Sequence, residues 1–128
     1  VSVKVGSFTP SATGNVSVSG LSFLPTNVIF SAGPRFNTTE TVIKYCRGWM
    51  TANNQSYDSL YQDSTGSRSK GGTDKSIVVW DRVSGTITDK VVGTFVSFDN
   101  NGGGDFGFTM NFTAADSNYQ VRYIASDA

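Results

Sequence analysis

Large apolar side chains recur at every second position along most of this chain. The cleanest run is Phe106-Gly107-Phe108-Thr109-Met110-Asn111-Phe112-Thr113. Four large apolar residues fall on one side of an extended backbone there, and small or polar ones on the other, as a strand with one face in a core requires. Val16 and Val18 alternate with Ser17 and Ser19, and Tyr119, Val121 and Tyr123 with Gln120 and Arg122, the pattern of half-buried antiparallel strands. Further strands are predicted over 3–8, 27–31, 40–50, 76–82 and 91–98. No stretch of a dozen residues holds apolar positions at a 3.6 period, so little or no helix is expected.

Turn chemistry separates these runs: Pro10 with Gly14, Leu24-Pro25-Thr26, Gly33-Pro34, Val83-Ser84-Gly85-Thr86 and Asn100-Asn101-Gly102-Gly103-Gly104. Short strands joined by such turns predict an all-β sandwich or barrel. The stretch 63–74 (Asp-Ser-Thr-Gly-Ser-Arg-Ser-Lys-Gly-Gly-Thr-Asp) has nothing apolar to anchor it. Its glycines raise the cost of ordering it, and a mobile loop is expected there.

The 128 residues suit one domain spanning 1–128. Ten Lys and Arg balance ten Asp and Glu, so no long-range field draws the chain to nucleic acid or to an anionic membrane. Charged residues make up only 16% of the chain, and Ser, Thr, Asn and Gly supply most of its polarity, a mixture that suits extracellular or virion β proteins. The chain opens with alternating Val1-Ser2-Val3-Lys4-Val5, unlike a signal peptide. No apolar run approaches the length of a membrane helix, so a soluble protein or part of a soluble assembly is expected. A single cysteine, Cys46, lies in the apolar run 42–46 and is expected to pack as a small hydrophobe. Sequons begin at Asn15, Asn37, Asn54 and Asn111, a number that a Ser/Thr/Asn-rich chain reaches by chance.

The absence of histidine removes the commonest general base and metal ligand, and one cysteine cannot build a zinc site or a thiol dyad. A glycosidase needs only paired carboxylates, but the nine aspartates and Glu40 sit mostly in Ser/Gly-rich turns. No enzymatic activity and no cofactor are expected. The oxygen-rich segment 99–105, with Asp99 and Asp105 at its ends, has ligands that calcium favours, yet its spacing fits no EF-hand and suits a wide turn between strands. Its three glycines lack the lysine and the strand-to-helix setting of a phosphate loop.

Aromatic residues are the better site candidates, because sugar rings stack on aromatic faces while nearby Asp, Asn and Arg take the hydroxyls. Trp80-Asp81-Arg82 places all three kinds at a strand end; the alternative is a core tryptophan followed by a surface ion pair. Tyr57 and Tyr61, four apart, would share one face of a strand as an exposed aromatic patch, open to a sugar or to a neighbouring subunit. Trp49-Met50 is expected in the core.

Two segments carry a resemblance: Val18-Ser19-Gly20-Leu21-Ser22-Phe23-Leu24-Pro25-Thr26-Asn27-Val28-Ile29-Phe30, and Phe98-Asp99 with Gly107-Phe108-Thr109-Met110-Asn111-Phe112 and Tyr119-Gln120-Val121-Arg122-Tyr123-Ile124-Ala125. Together, over about a third of the chain, they resemble the small β-sandwich domains of tailed-phage virion proteins, and more distantly are similar to H-type lectins, six-stranded sandwiches that trimerise and bind sugars such as N-acetylgalactosamine. The resemblance implies an antiparallel β-sandwich, homo-oligomeric and preferably trimeric, in a virion or extracellular setting beside other virion proteins. It further implies either a receptor- or glycan-binding part of a tail fibre or adhesin, or a capsid-decoration or fibre subunit that binds no ligand. Leu21-Ser22-Phe23 departs from the expected Gly-Phe opening, the turn before Phe106 is longer, and the histidine of some lectin sites is missing. Sugar specificity therefore does not transfer. Trp80, Asp81 and Arg82 correspond to a lectin-like site by residue type and strand position alone.

Overall fold

The computed structural model describes residues 1–35 and 42–128. The predicted start of a strand at Glu40 and the sequon at Asn37 lie outside the described residues. Ten strands are formed: β1 (Val3–Phe8), β2 (Gly14–Leu21), β3 (Asn27–Pro34), β4 (Ile43–Thr51), β5 (Gln55–Asp63), β6 (Gly66–Gly72), β7 (Ile77–Val83), β8 (Thr86–Gly102), β9 (Asp105–Ala114) and β10 (Tyr119–Ser126). They build two antiparallel sheets, of six strands in the order β1-β10-β3-β4-β5-β6 and of four in the order β2-β9-β8-β7. The chain is an all-β protein of sandwich-like arrangement, with no helix among the described residues.

Period-two alternation sets the inner faces. Val28, Phe30 and Ala32 of β3, Cys46 and Met50 of β4, and Val121, Tyr123 and Ala125 of β10 are buried from the large sheet, facing Phe108, Met110 and Phe112 of β9. The rings interlock across the layers. Phe108 meets Phe30 edge-on at 5.9 Å between centroids and Tyr123 at 5.2 Å, in the T-shaped geometry that aromatic quadrupoles favour. β7 departs from alternation: Ile77, Val78, Val79 and Trp80 are all buried, as an apolar run covered on both sides requires. Opposite the Val79–Trp80 step, β8 carries one extra residue, Lys90, as a bulge.

The layers touch closely where β7 begins. Gly48 leaves the inner face of β4 bare, and a Cβ there would stand 1.6 Å from the Ser76 carbonyl oxygen. The Gln55 side-chain oxygen accepts from the Ser76 hydroxyl at 2.9 Å and from the Phe95 amide at 3.1 Å, tying β5 to the small sheet. The turn predicted at 83–86 forms with Ser84 and Gly85 at φ 51° and 80°, the mirror-image turn that matches strand twist.

Several elements differ from expectation: β3 continues past the predicted 27–31 through the turn expected at Gly33-Pro34 to pair with β10, and β5 is an additional strand. The segment 63–74 is not a loop: β5 runs to Asp63 and β6 returns as an edge strand, with Tyr61 opposite Arg68 and Ser59 opposite Lys70. Backbone pairing holds β6 and polar contacts hold the turn before it, so no apolar anchor was needed, and its cations suit an exposed edge. β8 is also longer than the predicted 91–98, because its first part pairs with β7 from Thr86 opposite Val83, and its far end follows β9 through three register shifts to Gly102.

Candidate functional site

The outer face of the six-stranded sheet is unusually apolar. Cross-strand pairing aligns Val5 with Ile124, Ile124 with Ile29, and Ile29 with Trp49, so one row of large apolar side chains crosses four strands. All four are exposed, as are Val3, Ile43 and Tyr45 on the same face. The next row along the strands reads Ser7, Arg122, Ser31, Arg47, Asp58, Gly71 and carries the face's charges.

Trp49, 39% exposed, divides two depressions. One, of about 550 Å³, lies between Trp49 and the β5–β6 hairpin, with Arg47, Ser56, Asp58 and Thr73 at its rim. Gly71 and Gly72 keep this side open; a Cβ on Gly71 would approach the Asp58 carboxylate to 3.2 Å, and one on Gly72 the Tyr57 ring to 2.9 Å. The other, of about 400 Å³, is lined by Asn53, Asn54, Gln55 and Phe95 on the far side of Trp49. Arg47 and Asp58 stand 3.8 Å apart and are both highly exposed, a pairing too weak to withhold either group from a ligand. An exposed indole beside a carboxylate, a guanidinium, hydroxyls and side-chain amides can stack one face of a sugar ring and take its hydroxyls.

The residues expected at a site fare differently. Trp80 is only 3% exposed and Tyr61 also 3%; their rings stack at 5.2 Å inside the sandwich. The core alternative for Trp80 therefore holds: it is buried together with the apolar run before it. Its indole N–H has no hydrogen-bond partner among the described residues. Asp81 pairs with Lys44 at 3.4 Å and Arg82 with Asp63 at 3.8 Å. The Arg82 guanidinium also donates to the Thr65 hydroxyl at 3.1 Å, fastening β7 to the β5–β6 turn. Thr65 hydrogen bonds hold the Asp63 carboxyl below its usual range, with help from Tyr61 and Arg82. Tyr57 and Tyr61 do share a face, as their spacing predicts, but it is the inner one, and burial pushes both phenols up. Tyr57 keeps a link to the surface, forming part of the floor beside Trp49.

Trp49, expected in the core, is the exposed member of Trp49-Met50. Adjacent strand residues point to opposite faces, and Met50, fully buried, takes the inside. The signal was present in the register of Cys46, Gly48 and Met50 against Tyr45, Arg47 and Trp49.

Asp99 accepts from Ser97 at 2.5 Å and Thr109 at 2.6 Å, and Thr109 pairs with Ser17 at 2.8 Å, a polar chain across the outer face of the small sheet. Asp105 accepts from the Gly20 amide at 2.7 Å and from Asn101 at 3.2 Å. The two carboxylates are thus committed to strand and turn contacts, and no cluster of three or more metal-ligating residues occurs among the described residues. The Cys46 thiol, pushed up to about 11 chiefly by burial, accepts the Val78 amide at 3.3 Å.

Compared with family models, curated proteins and solved structures, the chain matches none.

Proposed function

We propose that the protein is a glycan-binding module of the virion-associated kind, and that the glycan lies against Trp49 on the outer face of the six-stranded sheet. The observation that carries this reading is the exposed indole between two depressions, with Arg47 and Asp58 at the rim. The virion setting rests on the resemblance of the two end segments to tailed-phage sandwich domains.

Glycan-array binding of the protein and of Trp49→Ala tests it. The substitution removes a surface ring and is expected to lower affinity about ten-fold or more, with the thermal transition nearly unchanged. A protein silent on neutral and acidic glycans alike overturns the reading.

A second reading, a fibre or decoration subunit without a ligand, is favoured by the apolar row Val5, Ile124, Ile29, Trp49, because exposed apolar patches of this kind commonly seat another protein surface. Light scattering coupled to size exclusion separates the two: an oligomer that falls apart on Ile124→Ser and binds no glycan belongs to the second.

A further inference from the structure

We infer that the bound glycan is acidic, with a sugar carboxylate held between Arg47 and Arg122; this rests on the glycan reading of the same face. A third depression, of about 300 Å³, adjoins the one beside Trp49 and is lined by Val5, Ile29, Ser31, Tyr45, Arg47 and Arg122, with Ile124 and the rings beneath. Arg122 and Arg47 flank Ser31 in one transverse row. At a strand spacing of ~4.8 Å their backbones stand about 10 Å apart, a gap that two arginine side chains can close onto one carboxylate.

The polar chemistry of this depression is one-sided. Two guanidiniums and the Tyr45 hydroxyl, which accepts from Ser31 at 3.4 Å, can donate to a ligand, and no carboxylate lines it. Arg122 forms no ion pair with a carboxylate of the described residues. The remaining walls are aliphatic, which suits the non-polar edge or an acyl substituent of a sugar better than a small inorganic anion. Ile29 and Arg47 line this depression and the one beside Trp49, so an oligosaccharide can place its acidic unit at the arginines and the next unit along the indole.

The test uses matched oligosaccharides, one bearing a uronic or sialic carboxylate and its counterpart with that carboxyl reduced to the alcohol. The wild-type protein is expected to bind the acid about ten-fold or more tightly, with a preference that shrinks as salt rises. Arg122→Gln, an exposed change, is expected to erase most of that preference while keeping the affinity for the reduced sugar. Trp49→Ala is expected to weaken both. Equal affinity for the two sugars, or a preference that survives Arg122→Gln, overturns the acidic assignment and leaves the glycan reading standing; absence of binding to either sugar overturns both.

Discussion

The Val78 amide donates to the sulfur of Cys46 across 3.3 Å, joining β7 to the inner face of β4. Burial disfavours the thiolate more than this hydrogen bond favours it, which is why the thiol sits near 11. Native protein at neutral pH is therefore expected to resist a thiol reagent that labels the denatured chain freely. Cys46→Ala, which leaves the amide without its acceptor and opens a small void, is expected to cost about 1–3 kcal/mol. Denaturant titration with and without labelling checks both, and rapid labelling of the folded form would refute the burial argument.

Alkaline pH should destabilise the fold. Burial raises the folded-state pKa of Cys46 from 9.0 to about 11 and also raises Tyr57, Tyr61, Tyr119 and Tyr123. For each group the unfolded chain gives up its proton first, so the stabilisation is complete below the unfolded pKa and is lost as pH climbs through the folded one. Cys46 alone links to about 2–3 kcal/mol between pH 9 and 11. Melting temperatures should hold steady up to about pH 8.5 and then fall; a flat profile to pH 11 would contradict the linkage.

Gly48 and Gly85 predict opposite responses to alanine. At Gly48 the new methyl group would meet the Ser76 carbonyl oxygen at 1.6 Å, a backbone atom that no rotamer change can move aside, so Gly48→Ala is expected to lose about 4 kcal/mol or more, or to prevent folding. Gly85 has open space around it and only its φ of 80° to satisfy, so Gly85→Ala is expected to cost about 1 kcal/mol. Chemical denaturation of the pair measures the contrast.

The two tryptophans should separate stability from binding. Trp80→Ala removes a stacked interior ring and is expected to cost about 3–5 kcal/mol, whereas Trp49→Ala should change stability by less than about 1 kcal/mol. If Trp49→Ala proved as destabilising as Trp80→Ala, the outer face would be part of the core.

Strands with strict alternation were legible from sequence. The run around Phe108, Met110 and Phe112 forms β9, because apolar spacing is what buries it, and the predicted 3–8 agrees with β1, although its alternating Val3 and Val5 lie on the exposed face. β5 was not recognised as an element, its inner face being Tyr57, Ser59 and Tyr61, of which the serine breaks the apolar pattern. β6 carries no hydrophobic pattern at all, since an edge strand can be held by its neighbour's backbone. The site was missed for a related reason. Trp80 follows Ile77-Val78-Val79 and Trp49 precedes Met50, so local composition reads both as interior; the alternation that buries Met50 turns Trp49 outward, while Trp80 stays buried with the run before it.

The pairing of β1 with β10, and of β10 with β3, has a kinetic consequence. β10 is inserted between two strands made much earlier, so the large sheet closes only after β10 has been synthesised, and contacts so distant along the chain slow folding. Until then β3 offers a bare edge beside the exposed Ile29, and a nascent chain carries its stickiest surface during the interval when it is least protected.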